Sequence, residues 1–151
     1  MSRALLVTLA GLLAALTLYL PPASAGVPAK LAREARYVAA HGGVLGSCHG
    51  CSTPRMQRLV RRLIVARFAP SGASAVSTAL CVARGESGFN PGAISRTGDY
   101  GVFQINRPSW ERSYDWVRIL DPVYNVGVGW AMSRRGYSWS PWVVYTNGGC
   151  S

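Results

Sequence analysis

Residues 81–106 read CVARGESGFNPGAISRTGDYGVFQIN, and this run constrains the fold more than any other part of the chain. Upstream of it, Val76, Ala79, Leu80 and Ala83 recur at three- and four-residue spacing, the period of one helix face. The stretch is rich in small residues and nearly uncharged, so it reads as a central helix buried on several sides. Glu86 falls three residues after Ala83 and continues that face to the helix end, where Gly85 and Gly88 release the backbone. Asn90-Pro91-Gly92 and Ser95–Asp99 are turns, and Tyr100–Ile105 has the mixed character of a short strand or a helix start. Two carboxylates, Glu86 and Asp99, thus stand at two structural transitions. From there they can face each other across a cleft, as two-carboxylate glycoside chemistry requires.

The whole chain has six acidic residues, so the others can be weighed in turn. Glu34 lies between Arg33 and Arg36, where a surface ion pair explains it. Glu111 and Asp115 share a polar stretch with Arg112 and Arg118. Asp121 precedes Pro122 and is placed to cap a helix. Glu86 alone sits on an apolar face without a cation on that face. Burial without a partner raises a carboxyl pKa, which suits a general acid near neutral pH. Asp99 has two readings, a second functional carboxylate or a turn aspartate bonded to its own backbone.

The first 25 residues have the layout of a secretory signal peptide. Arg3 gives a positive start, Ala4–Leu20 is apolar, Pro21-Pro22 breaks the run and Ala23-Ser24-Ala25 is a small-residue cleavage pattern. The 17-residue apolar run is also nearly long enough for an uncleaved anchor. The expected organisation is a signal peptide over 1–25, an N-terminal helix and Cys-containing loop over 26–52, and a catalytic region over 53–151 that forms one domain with 26–52. Without residues 1–25 the charge is +9, 15 Lys plus Arg against 6 Asp plus Glu, and Lys30 is the single lysine. So basic a surface is drawn to polyanions. Export makes an anionic wall polymer or membrane surface the expected partner and argues against nucleic acid.

Four cysteines in an exported chain, Cys48, Cys51, Cys81 and Cys150, imply two disulfides, and the sequence allows three connectivities. A bridge closing a loop as long as 81–150 contributes up to about 4 kcal/mol in the chain-entropy account, and a four-residue loop about 2 kcal/mol. The competing reading of Cys48-His49-Gly50-Cys51 with His41 is a zinc site. It would place two ligands on adjacent residues, an awkward geometry for a tetrahedral ion. No metal and no cofactor is expected.

Helices are expected over Lys30–Ala40, from Thr53 as N-cap to Phe68, from Ser71 as N-cap through Glu86, over Val123–Arg135 behind Asp121, and as a last turn near Ser138–Tyr145. In the second, Met56, Leu59, Val60, Leu63, Ile64 and Phe68 form an apolar face, and Arg55, Arg58, Arg61, Arg62 and Arg67 the rest. That is a core helix with a solvated basic face, or else a membrane-active cationic helix.

The segment ESGFNPGAISRTGDYGVFQIN resembles the lysozyme-like superfamily, in particular soluble lytic transglycosylases and phage muramidases. CVARGES and DYGVFQIN also resemble animal c-type lysozymes. DPVYNVGVGWAMSRRGYSWSPWVVYTNGG is similar to the C-terminal half of the same domain, so the resemblance spans roughly residues 72–149. It implies a mainly α (α+β) lysozyme-like fold, with a small β element beside the active-site cleft. It also implies cleavage of the β-1,4 bond between N-acetylmuramic acid and N-acetylglucosamine in peptidoglycan. Glu86 matches the catalytic acid, and Asp99, just before Tyr100-Gly101, the second carboxylate of c-type enzymes. Many lytic transglycosylases have no acid there. Ser87, Tyr100, Gln104 and Asn106 follow as substrate-side positions of the motif, although a hydrogen bond to the turn also accounts for Gln104. Tyr145 falls where transglycosylases carry the tyrosine of an A-Y-N-A-G motif; here the string is V-Y-T-N-G-G. Trp139 and Trp142 are sugar-stacking or core aromatics. Cys81 matches a half-cystine whose partner lies in the C-terminal region, so the resemblance pairs it with Cys150 and leaves Cys48 with Cys51. The reading is a secreted, monomeric muramidase acting on glycan strands in the extracellular space or cell wall. A lytic transglycosylase giving 1,6-anhydromuramyl products is the alternative, and a non-catalytic cationic wall or membrane binder a second one.

Overall fold

The computed structural model describes residues 25–150, so the expected signal segment, all but its last residue, lies outside the described residues. Helix α1 covers Ala29–Val38 and ends in a π-type turn, Ala39–Gly43. Helix α2 covers Pro54–Phe68 and α3 covers Ala73–Ser87. Strands β1 (Asp99–Tyr100) and β2 (Ile105–Asn106) form an antiparallel hairpin, pairing Asp99 with Asn106 and Tyr100 with Ile105. Short helix α4 (Arg107–Trp110), then α5 (Pro122–Met132) and α6 (Val143–Thr146), complete the order. The architecture is a mainly helical, lysozyme-like α+β fold with a two-stranded sheet.

Capping chemistry sets two of the helix starts as the sequence implies. Thr53 accepts from Met56 N–H, with Pro54 in the first turn. The Asp121 carboxylate accepts from Val123 N–H at 2.8 Å and Tyr124 N–H at 3.1 Å, and also pairs with Arg36 at 2.6 Å. The start of α3 differs from expectation. Ser71 is drawn into a 3-10 turn, Ala69–Ser71, and Gly72 takes the N-cap position with no side-chain cap.

The buried centre is α2, not α3. Met56, Val60, Leu63, Ile64 and Phe68 are fully buried, and α2 packs against α1, α3 and α5. Each such side chain contributes roughly 1.5–3 kcal/mol on burial. In α3 only Ala75, Ala79, Val82, Ala83 and Ser87 are buried, while Ser74, Ser77 and Arg84 face outward. Its buried positions are mostly small, and at Gly85 the missing side chain serves close approach. A Cβ at Gly85 would lie 2.6 Å from Val144 Cγ2, so glycine lets α6 settle against the helix that carries Glu86.

The basic face of α2 also needs one correction. Arg55, Arg58, Arg61 and Arg62 are exposed, but Arg67 is 3% exposed. Its guanidinium lies 4.1 Å from the Trp130 ring and donates to the carbonyl of Ala25. A planar, weakly hydrated cation can be accommodated on an aromatic face where an ammonium would not be. With its apolar face in the core, α2 has no such face left for a bilayer. Glu34 pairs across to Arg55 at 3.2 Å, instead of with its neighbours in α1, and Glu111 pairs with Arg107 at 3.3 Å. The disulfides are Cys48–Cys51 and Cys81–Cys150, with Cα separations of 5.2 and 5.6 Å.

Candidate active site

Glu86 occupies the last turn of α3, and the chain beyond it is fixed by three features. Gly88 adopts φ +61°, the left-handed cap that ends the helix, and its N–H returns to Arg84 O at 3.0 Å. The Ser87 hydroxyl, fully buried, donates to Val102 O at 2.8 Å and accepts from Asn90 N–H. These bonds join the helix end to the hairpin turn. Ser87 is therefore a strut behind the site, and its oxygen is directed away from the cleft.

The hairpin is anchored from the other side by Asn125 of α5, which is fully buried. Its Oδ1 accepts from Phe103 N–H at 2.9 Å, and its Nδ2 donates to Tyr100 O and Ile119 O. Gly101, at φ +75°, lets the backbone come against this amide; a Cβ there would collide with Asn125 Nδ2. Buried amides satisfied on both ends hold a unique geometry, because an unmet group would cost more than the bond gains.

Glu86 and Asp99 both line one cleft of about 490 Å³. Gln104, Asn106 and Trp142 line it too, together with Ser109, Trp110, Met132, Ser140, Pro141 and Val143. Tyr100, Trp139 and Tyr145 are not part of this lining. Tyr100 makes an edge contact with Trp116, centroids 5.7 Å apart. Trp139 is a core residue, 5% exposed, stacked on Phe68, with its N–H to Gly136 O. Tyr145 is exposed beside Trp139. Trp142 is 3% exposed and donates to Phe103 O at 2.7 Å, so most of its ring belongs to the core. Trp110, half-buried and 5.9 Å from Tyr114, is the more available aromatic in the cleft.

The two carboxylates have opposite environments. Burial pushes Glu86 above the ordinary carboxyl range and the charge of Asp99 adds to this, against a backbone hydrogen bond from Val144 and the electrostatic pull of His49. Partial burial also works to raise Asp99, but three donors outweigh it and hold it below its usual value. Ser95 Oγ and Thr97 Oγ1 donate to Oδ2 at 2.5 and 2.6 Å, and Asn106 Nδ2 donates to Oδ1 at 2.7 Å. Asp99 does not bond to its own turn's backbone through its side chain, the alternative the sequence left open; the turn's hydroxyls bond to it. Asn106 also caps α4, accepting from Ser109. Gln104, in a left-handed conformation at φ +46°, donates to Gly101 O at 2.9 Å. It is at once a turn residue and part of the cleft lining.

Ser95 and Thr97 are site residues that sequence reasoning did not single out. The signal was present in S-R-T-G-D, hydroxyls four and two residues ahead of an aspartate. For Met132, Pro141 and Val143 no local signal exists, since they reach the cleft only through the packing of α5 and α6. One carboxyl raised above its ordinary range and one held below it line the same cleft, and pKa values pushed apart in this way are what two-carboxylate glycoside chemistry uses.

Residues 69–139 match the family model of the transglycosylase SLT domain. Over those residues, just under half of its length, the chain is similar to that domain, which belongs to the lysozyme-like superfamily. It is an enzyme of the lytic transglycosylase or lysozyme type, acting on peptidoglycan. No curated protein and no solved structure matches the chain.

Proposed function

We propose that the protein is a secreted muramidase that cleaves the β-1,4 bond between N-acetylmuramic acid and N-acetylglucosamine, with Glu86 as general acid. The observation that carries this reading is the split between two carboxyls on one cleft: Glu86 raised by burial, Asp99 depressed by Ser95, Thr97 and Asn106. Glu86 gives its proton to the leaving glycosidic oxygen. Asp99, ionised, stabilises the oxocarbenium-like centre or bonds to the anomeric carbon, and water then supplies the new hydroxyl. Gln104 and Asn106 line the sugar path, and Trp110 and Trp142 give it apolar wall. Residues 26–52 belong to the same domain as 53–151, because α1 shares the core of α2. Residues 1–25 direct export, and the protein works as a monomer in the extracellular space or wall. The exposed arginines of α2 favour wall material that bears anionic polymer.

A second reading, lytic transglycosylation, is favoured by the family match. There the muramyl 6-hydroxyl attacks in place of water and Asp99 has no nucleophilic part. Mass spectrometry of fragments from purified, lipid-free peptidoglycan separates the two. Reducing muramyl ends are expected; 1,6-anhydro ends throughout would sink hydrolysis. Glu86→Gln clearing the same substrate at the wild-type rate would sink both and favour a non-catalytic cationic binder.

A further inference from the structure

The disulfide loop 44–52 lies outside the family match, yet it is built onto the helix end that bears Glu86. Gly50 N–H donates to Ser87 O at 2.7 Å, and His49 Nε2 lies 2.9 Å from Arg84 O. A carbonyl only accepts, so that ring nitrogen carries the hydrogen. Arg84 O and Ser87 O are among the last carbonyls of α3; Gly88 N–H and Asn90 N–H already donate to them at 3.0 and 3.3 Å, and the loop adds a second donor to each. The reverse face of the loop is pinned as well. Asn90 Nδ2 donates to Gly46 O and Cys48 O, both at 2.8 Å, and Ile94 N–H to Ser47 O at 2.8 Å. The approach is close enough to demand glycine at Gly88, where a Cβ would sit 2.8 Å from Gly50 N and 3.1 Å from His49 Cε1. Gly50 itself takes φ +73° inside the Cys48–Cys51 ring.

We propose that the Cys48–Cys51 loop is a positioning element for Glu86, with His49 as its working residue, clamping the carbonyl end of the helix that bears the acid. The proposal rests on the reading of Glu86 as general acid. Besides His49, the titratable group acting on Glu86 is Asp99, from the hairpin; α6 contributes only the backbone of Val144. Positive charge at residue 49 favours the Glu86 carboxylate, so its loss leaves the carboxyl protonated to higher pH. The loop thereby adjusts the pH range over which Glu86 is a donor. It also limits the freedom of the helix end, where sub-ångström misplacement of a reacting group is costly.

The test is the pH dependence of kcat on purified peptidoglycan for wild type, His49→Gln, His49→Ala and Cys48→Ser/Cys51→Ser, with Tm and far-UV circular dichroism as controls. His49→Gln keeps a donor but loses the charge, so the alkaline limb of kcat moves upward by a few tenths of a pH unit with Tm unchanged. His49→Ala also loses the clamp, and kcat falls about 5-fold or more with KM unchanged, the loss expected of one hydrogen bond. The double serine variant lowers kcat in the same direction, with Cys81–Cys150 intact. A His49→Gln profile that superimposes on wild type overturns the role of His49. A folded double variant with wild-type kcat overturns the clamp, and if that variant does not fold, the two histidine variants decide. Glu86→Gln separates the premises: if it stays active, the general-acid reading fails, whatever the His49 variants do.

Discussion

The end of α3 and the turn before β1 each present one carboxyl to the same cleft, and they do so by contrary means. At the helix end the backbone carbonyls point past Glu86, the Ser87 hydroxyl turns inward to Val102, and the carboxyl is left half-buried with a single backbone donor. At the turn, two hydroxyls and an amide converge on Asp99. A helix terminus is poor in donors on its C-terminal side, and a Ser/Thr-rich turn is rich in them. The placement of an acid on one or the other decides whether its pKa is pushed up or down.

The sharpest way to break the comparison is to neutralise each carboxyl in turn. Glu86→Gln should lower kcat about 10²–10⁴-fold, the range for loss of a general acid, measured on lipid-free peptidoglycan. Asp99→Asn should lower it about 10²–10³-fold if the charge faces the transition state. Near-wild-type turnover with anhydro products would instead assign Asp99 to the turn alone.

Removing the donors is a finer probe. Ser95→Ala with Thr97→Ala should let Asp99 titrate closer to its ordinary range, moving the acid limb of activity upward while leaving the rate near neutral pH within a few-fold. The stability sign follows. Asp99 has a folded pKa below its unfolded one, so its contribution is present above the unfolded value and is lost as pH falls through the folded value. The Tm gap between the double variant and wild type should therefore shrink on acidification; a gap constant from pH 7 to pH 3 would show that these hydroxyls act through packing.

The smallest effect is the opposite one at the helix end. Glu86 has a raised folded pKa, so its favourable contribution is present below the unfolded value and is lost as pH rises through the folded value. Glu86→Gln should be more thermostable than wild type near neutral pH and indistinguishable from it near pH 3, read by calorimetry. Equal Tm at both pH values would remove the idea that burial at Glu86 carries a conformational cost.

Much of this site is legible in the order of the residues. Glu86 emerges from a helix period and from the alternative explanations open to every other acid, and both capping residues, Thr53 and Asp121, stand where local chemistry puts them. Two expectations fail, and one open choice is decided, for the same reason. Arg67 reads as one more surface cation until Trp130, 63 residues away, covers it. Trp139 reads equally as a sugar platform or a core aromatic until Phe68 stacks on its face. The uncharged, small-residue run of α3 reads as the buried centre of the fold, whereas α2 takes that place and Gly85 of α3 marks close approach by α6.

The sequence alone determined what is periodic or local: the helices, their caps, the turn that surrounds Asp99, and the superfamily. These depend on neighbours within a few residues, where 3.6-residue spacing and side-chain-to-backbone bonds act. Only the tertiary structure decided which of two carboxyls is raised and which is lowered, that Trp110 and Val143 share their cleft, and that a loop ahead of the family match reaches the helix end that bears Glu86. Desolvation and electrostatic reach depend on separation in space, and residues 49 and 86 are distant in the chain until α2 and α3 pack.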